Sequence, residues 1–167
     1  MLYKIFSYLK FIFTATNQHG VHSPFIYNFV TKCLYKKSKF KHPKTFRVLL
    51  ESCSYFNVKK ISIIPKNMHV QSLIKNTYPQ IDFNEQPYDI IYMDLPNTKM
   101  FNGILKNRLY HNNSMLLVKN IYQSKDSSQS WELIKSNVEI TASIDMFHCG
   151  ALFFRQEQTK EHFKIRI

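Results

Sequence analysis

From Lys60 onward the chain alternates between short apolar runs and stretches of helical periodicity, and that alternation limits the folds open to it. Lys60-Ile61-Ser62-Ile63-Ile64 reads as a buried strand ended by Pro65, Met68 to Tyr78 as a helix, and Ile81-Asp82-Phe83 as a brief strand. Tyr88 to Asp94 is the clearest strand. A helix from about Thr98 to Leu109 follows it, then a strand over Ser114 to Lys119 and a helix from Ser128 to Ser136 with Trp131 and Ile134 inward. Strands separated by helices pair in parallel, because the crossover carries the chain back to the same end of the sheet. Val138 to Ile144 and Gly150 to Phe154 are too close for a crossover and must pair antiparallel. Phe153 and Phe154 are consecutive and face opposite sides, which suits a strand covered on both faces. Phe163, Ile165 and Ile167 alternate with Lys164 and Arg166 in a last extended segment. The expectation is a mostly parallel α/β sheet, Rossmann-like, closed by an antiparallel edge.

Residues 1–57 read instead as a helical cap on the core of residues 58–167, the whole forming one domain. Leu2, Ile5, Phe6, Leu9, Ile12 and Phe13 fall at helical spacing with Lys4, Ser7 and Lys10 on the other face. That stripe predicts a helix packed on the domain; a membrane-surface helix is the rival reading, weakened by a sparsely basic polar face. Ser23 followed by Pro24 is a helix start, a capping hydroxyl and then a residue whose missing N–H costs nothing at the first position. Phe25, Ile26, Phe29, Val30, Cys33 and Leu34 line one face of that second helix. A third, from about Lys44 to Phe56, carries Phe46, Leu49, Leu50 and Cys53.

The net charge of +12 raises nucleic acid as a partner, through the basic stretch of Lys32, Lys36, Lys37, Lys39, Lys41 and Lys44. Of the 23 basic residues 19 are lysine and 4 arginine, and Asn and Ile are abundant too, so an AT-rich coding sequence accounts for the same balance. Cys33, Cys53 and Cys149 are odd in number and far apart, which argues against a disulfide framework or a zinc site and for a reducing compartment. Lys4 and Lys10 interrupt the apolar N-terminal run, no small-residue cleavage site follows it, and no run reaches the roughly 18 apolar residues of a membrane span. A cytoplasmic protein without a transmembrane segment is expected.

Three stretches carry a resemblance: His19 to Phe25 (HGVHSPF), Tyr88 to Asn97 (YDIIYMDLPN), and the run from Trp131 through Ile144-Asp145-Met146-Phe147 to Phe153-Phe154-Arg155 and Glu161-His162-Phe163. Together they resemble a bacterial family of class I AdoMet-dependent methyltransferases, of which this chain looks like a shortened member. The resemblance implies a methyltransferase sheet with an antiparallel C-terminal hairpin, S-adenosylmethionine as cofactor, and a small-molecule or macromolecular methyl acceptor. It fails in the middle. Such enzymes end their first strand in a glycine-containing acidic loop whose amides hold the cofactor's carboxylate end, and a later acid grips the ribose. Here that loop is Pro65-Lys66-Asn67, with no glycine and no acid. Pro65 and Asn67 stand where the cofactor would be cradled, and Asp82 or Glu85 where the ribose acid is expected; as acids beside a turn, either more often faces solvent.

Ligands of open α/β sheets bind beyond the carboxyl ends of the strands, where Asp94 and Lys119-Asn120 emerge. In related metal-dependent enzymes acids at these ends hold a divalent cation. Lys119 stands where one acid would be, so no metal site is expected and an Asp94–Lys119 ion pair is, with Lys119 turned to solvent as the alternative. His22 is a candidate general base or acceptor contact, against a purely local role in shaping its turn. The functional expectation is a methyltransferase with a degenerate cofactor site, its catalytic candidates Asp94, Lys119 and His22. The rivals are a non-catalytic scaffold of the same ancestry and a basic nucleic-acid-associated protein.

Overall fold

The alternation after Lys60 folds as an α/β sheet, described for residues 2–167 in a computed structural model. Among those residues six strands line up as β1-β2-β3-β5-β4-β6, where β1 is Ile61–Ile64, β2 Tyr88–Met93, β3 Tyr110–Lys119, β4 Ala142–Asp145, β5 Cys149–Phe153 and β6 Glu161–Lys164. The β1–β2 and β2–β3 pairs are parallel, as helical crossovers dictate. The β4–β5 hairpin is antiparallel, but its second strand enters the interior of the sheet. There β5 runs antiparallel to β3 and β4 alike, with Met115 opposite Phe153 and Asp145 opposite Gly150. The expected antiparallel edge is therefore corrected: β6 takes the outer side of β4, in parallel. Placed inside, β5 fills both rows of its backbone hydrogen bonds and leaves the edge to a strand of four residues.

Consecutive residues of the central strands sort strictly by face. Ile90, Tyr92, Met115, Leu117 and Phe153 join one apolar cluster, and Ile91, Met93, Leu116, Val118 and Phe154 the other. The first face is covered by α2 (Pro24–Phe29, continued by a π-helical turn through Leu34), α3 (Lys44–Tyr55) and α4 (Met68–Thr77). On the second lie α5 (Thr98–Lys106) and α6 (Lys125–Ser136). Side-chain caps set the helix starts. Ser23 Oγ accepts from Ile26 N–H at 3.2 Å, Asn97 Oδ1 from Met100 N–H at 2.9 Å, and Ser124 Oγ from Ser127 N–H at 3.1 Å, which starts α6 three residues earlier than its apolar spacing suggests.

Two further expectations are corrected. Ile81-Asp82-Phe83 forms a single parallel bridge, Asp82 to Lys60, rather than a strand. Asp82 Oδ1 accepts from Asn84 N–H at 2.6 Å, and that local turn bends the backbone out of the ladder. The N-terminal helix α1 (Leu2–Thr14) forms and is seated on the domain, yet of its long apolar stripe only Ile12 packs there. Phe11 and Ala15, on the opposite side, seat it against Phe147 and Tyr122, while Leu2, Ile5, Phe6, Leu9 and Phe13 point outward. Among the described residues no helix is long and apolar enough to cross a membrane.

Candidate functional site

Register places the chemistry. Met93 pairs with Val118, so Asp94 and Lys119 leave neighbouring strand ends side by side. Lys119 Nζ lies 3.4 Å from Asp94 Oδ1, which also accepts from the Tyr92 hydroxyl at 2.9 Å. The second carboxylate oxygen accepts from Asn67 Nδ2 at 2.9 Å. Asn67 has no freedom to turn away, because its Oδ1 caps α4, accepting from His69 N–H at 3.1 Å and Val70 N–H at 3.2 Å. The first turn of α3 roofs the cluster. Thr45 Oγ1 donates to His148 O at 3.3 Å, and the Phe46 ring lies 6.4 Å from that of Tyr92 and 5.2 Å from Lys119 Nζ. Asn120, at a φ of 59° that asparagine tolerates better than most side chains, closes the floor with Nδ2 at 3.5 Å from Asp94 O.

Burial pushes the Asp94 carboxyl up, but the hydrogen bonds from Asn67 and Tyr92 and the Lys119 charge together outweigh it and hold it below the ordinary carboxylate range. Burial, and the Asp94 charge next to it, push the Tyr92 phenol up. An ionised carboxylate already accepting from three donors is a poor general base, and a phenol held protonated is no better. Burial also pushes Cys33, Cys53 and Cys149 up to about 12, which makes these thiols weak nucleophiles. Among the described residues no group of three His, Cys, Asp or Glu is arranged to hold a metal ion.

A carboxylate whose folded pKa is depressed adds stability that is present above the unfolded value, about 3.9, and lost as pH falls through the folded one. Asp94→Asn is therefore expected to cost about 1 kcal/mol near neutrality, read as a urea midpoint. The gap from the parent should close as pH drops below the ordinary carboxylate range, and a gap constant with pH would remove the ion pair from the account.

Of the residues singled out by sequence, Asp94, Lys119 and Asn67 come together, and exposed Pro65 precedes Asn67 in the same loop. Asp82 does not join them. It sits beside Lys60, at the start of β1 rather than its end, and Glu85 is drawn to that same end by Lys60 Nζ at 3.0 Å. His22 is exposed on the turn that starts α2. That turn is anchored by Ser23 Oγ donating to Gln158 at 2.9 Å, and Phe25 lies edge-on to Phe153 at 5.0 Å, the residue opposite Met115 where the buried part of β3 begins. His22 thus belongs to the amino ends of the parallel strands, away from Asp94.

Sequence reading did not place Phe46 or Tyr92 in this cluster, since both stand at apolar-periodic positions that give no sign of touching a polar group. It also missed a second cluster beyond β4. Asp145, 1% exposed, accepts from Trp131 Nε1 at 2.8 Å and from the Tyr122 hydroxyl at 2.9 Å, with Lys135 Nζ at 3.5 Å. An acid in the otherwise uncharged run Ala142 to Phe147 was the available signal. Comparison with protein-family models, with curated proteins and with solved structures finds no match for the chain.

Proposed function

We propose that this chain is a methyltransferase-derived α/β domain whose cofactor site has closed, and that it acts as a non-catalytic binding domain. The mostly parallel sheet with its antiparallel hairpin supports the ancestry. What carries the loss of catalysis is the occupancy of the strand ends by the chain's own side chains. In the enzymes the chain resembles, loop amides at the first strand–helix junction receive the cofactor carboxylate. Here the His69 and Val70 amides are spent on Asn67. Asn67, Tyr92 and Lys119 then converge on Asp94, so one internal carboxylate takes the donors a ligand would need. The cofactor's sulfonium and ammonium would also meet the cations Lys66 and Lys119. Asp82, the ribose candidate, lies at the other end of β1. The residues present do not fit S-adenosylmethionine, and no methyl-transfer step is drawn through them.

Titration calorimetry of the full chain with S-adenosylmethionine and S-adenosylhomocysteine is expected to give no binding heat up to about 1 mM. Saturable heat at micromolar ligand would restore the enzyme reading. The paired variant Asp94→Ala with Lys119→Ala opens the same space and serves as its comparison.

A further inference from the structure

The outward stripe of α1 is the largest run of exposed apolar side chains in the described chain. Leu2, Ile5, Phe6, Leu9 and Phe13 fall within one arc of about 100° on the helix, Phe6 at 67% and Phe13 at 86% exposure. The buried Phe11 lies directly opposite, so the helix has two apolar faces and uses the smaller for attachment. A single helix standing proud of the domain presents a convex ridge rather than a groove.

Charge near this ridge is mostly but not wholly basic: Tyr3 of α1 shares a hollow with Lys125 and the exposed Glu132. Nine of the 23 basic side chains and none of the 11 acidic ones precede Glu51. Lys10 lies beside the stripe. At the N-terminal half, Lys4 shares a hollow with Ile5, Tyr8, Leu9 and His148. Burial, and then the charges of Lys44 and Lys4, hold His148 below its ordinary value. At the other end the chain leaving α1 bridges to Ile165, just past β6, and Arg166 donates its N–H to Thr16 O at 3.2 Å. Arg166 in turn lines a cleft of about 440 Å³ with Lys36, Lys37 and Arg47. The Arg47 Nε is buried without a hydrogen-bond partner.

We infer that α1 is a membrane-surface anchor, its apolar stripe entering the interface of an anionic bilayer while the flanking lysines and arginines meet the lipid phosphates. Apolar area and charge act together in such anchors: burial of the stripe supplies affinity and the cations supply the preference for anionic lipid. A second copy of this chain is the poorer occupant, since it would bring together two chains that each carry a net charge of +12. The inference stands apart from the Asp94 cluster and holds whether or not that cluster binds a ligand.

The test uses the full chain sedimented with two vesicle preparations, phosphatidylcholine alone and phosphatidylcholine with phosphatidylglycerol. The expected result is binding to the anionic vesicles, weakened by salt, with little binding to the neutral ones. Phe6→Ser with Phe13→Ser should weaken it by about tenfold or more while leaving the thermal midpoint in place, because both rings are already exposed. Undiminished binding by that variant would overturn the assignment to α1. Equal binding to neutral vesicles would overturn the charge complementarity. Absence of binding to anionic vesicles overturns the inference outright. In that event, light scattering that shows a dimer lost in the variant assigns the stripe to a second copy, and salt-sensitive retention on RNA assigns the cations to nucleic acid.

Discussion

Gly150→Ala is expected to lower stability by about 3 kcal/mol, which for a chain of this size moves the thermal midpoint down by about 6–12 °C. A Cβ at this position would stand 2.3 Å from Trp131 Cζ2 and 2.4 Å from Cη2, well inside contact distance. Neither side can give easily. The Gly150 backbone lies in β5 between Val118 of β3 and Asp145 of β4, so moving it disturbs two ladders at once. The indole is wholly buried, packed in the cluster with Ile134 and Phe154, and its Nε1 donates to Asp145. Shifting the ring would lengthen a hydrogen bond to a buried carboxylate and open a void on its far face. Gly103→Ala is the internal comparison. A Cβ there meets nothing within 4 Å, on α5, and the substitution is expected to stabilise by about 0.4–1 kcal/mol through the unfolded state. Paired urea and thermal denaturation of the two variants gives both signs in one experiment. A Gly150→Ala midpoint within about 2 °C of the parent would show that the Trp131 ring has room to yield.

That pair also shows what a sequence withholds. Both glycines lie within apolar segments, and only the register of β5 against α6 separates the one that must stay bare from the one that need not. Apart from residues 81–83, the strands and helices after Lys60 were legible because each has its own period, with Pro65 and the short turn before β5 as stops. Helix α1 was legible as a helix and illegible as a surface. Periodicity locates an apolar stripe, but a helix with two apolar faces gives two stripes, and the wider one is not the one Phe147 and Tyr122 receive. At the site, Asp94 and Lys119 could be paired from sequence because both end strands that a parallel sheet sets side by side. Asn67 was legible as a loop residue of the cofactor junction; that its own amide would cap α4 and hold Asp94 was not. Phe46 was hidden because a ring roofing a polar cluster and a ring in a core share the same helical spacing. His22 and Asp82 were misplaced for one reason. Neither sits in a regular element, so nothing in the pattern said which end of the sheet it would reach.

Asp145→Ala is expected to cost about 3–5 kcal/mol, the usual penalty for breaking one side of a buried charge pair. The carboxylate is 1% exposed and Lys135 is buried beside it, so removal leaves a cation with only exposed Glu132, at 2.9 Å, for compensation. It also strips acceptors from Trp131 Nε1 and from the Tyr122 hydroxyl, both deep enough to suffer for the loss. Asp145→Leu combined with Lys135→Met removes the charges together and should cost less than the sum of the single changes. The pH dependence distinguishes this carboxylate from Asp94. Burial raises the Asp145 pKa, and Lys135, Tyr122 and Trp131 only partly oppose it. The folded chain then holds the proton more tightly than the unfolded one. The stability tied to that proton is full below the unfolded value, about 3.9, and is lost as pH rises through the folded one. Asp145→Asn cannot titrate, so its deficit against the parent should be widest in acid and shrink as pH rises through that window. For Asp94→Asn the deficit runs the other way, opening as pH rises. Urea midpoints of the two asparagine variants, measured from about pH 3 to 8, should therefore diverge from the parent in opposite directions. If both deficits widen together with pH, Asp145 is a stabilised anion like Asp94, and Lys135 outweighs its burial.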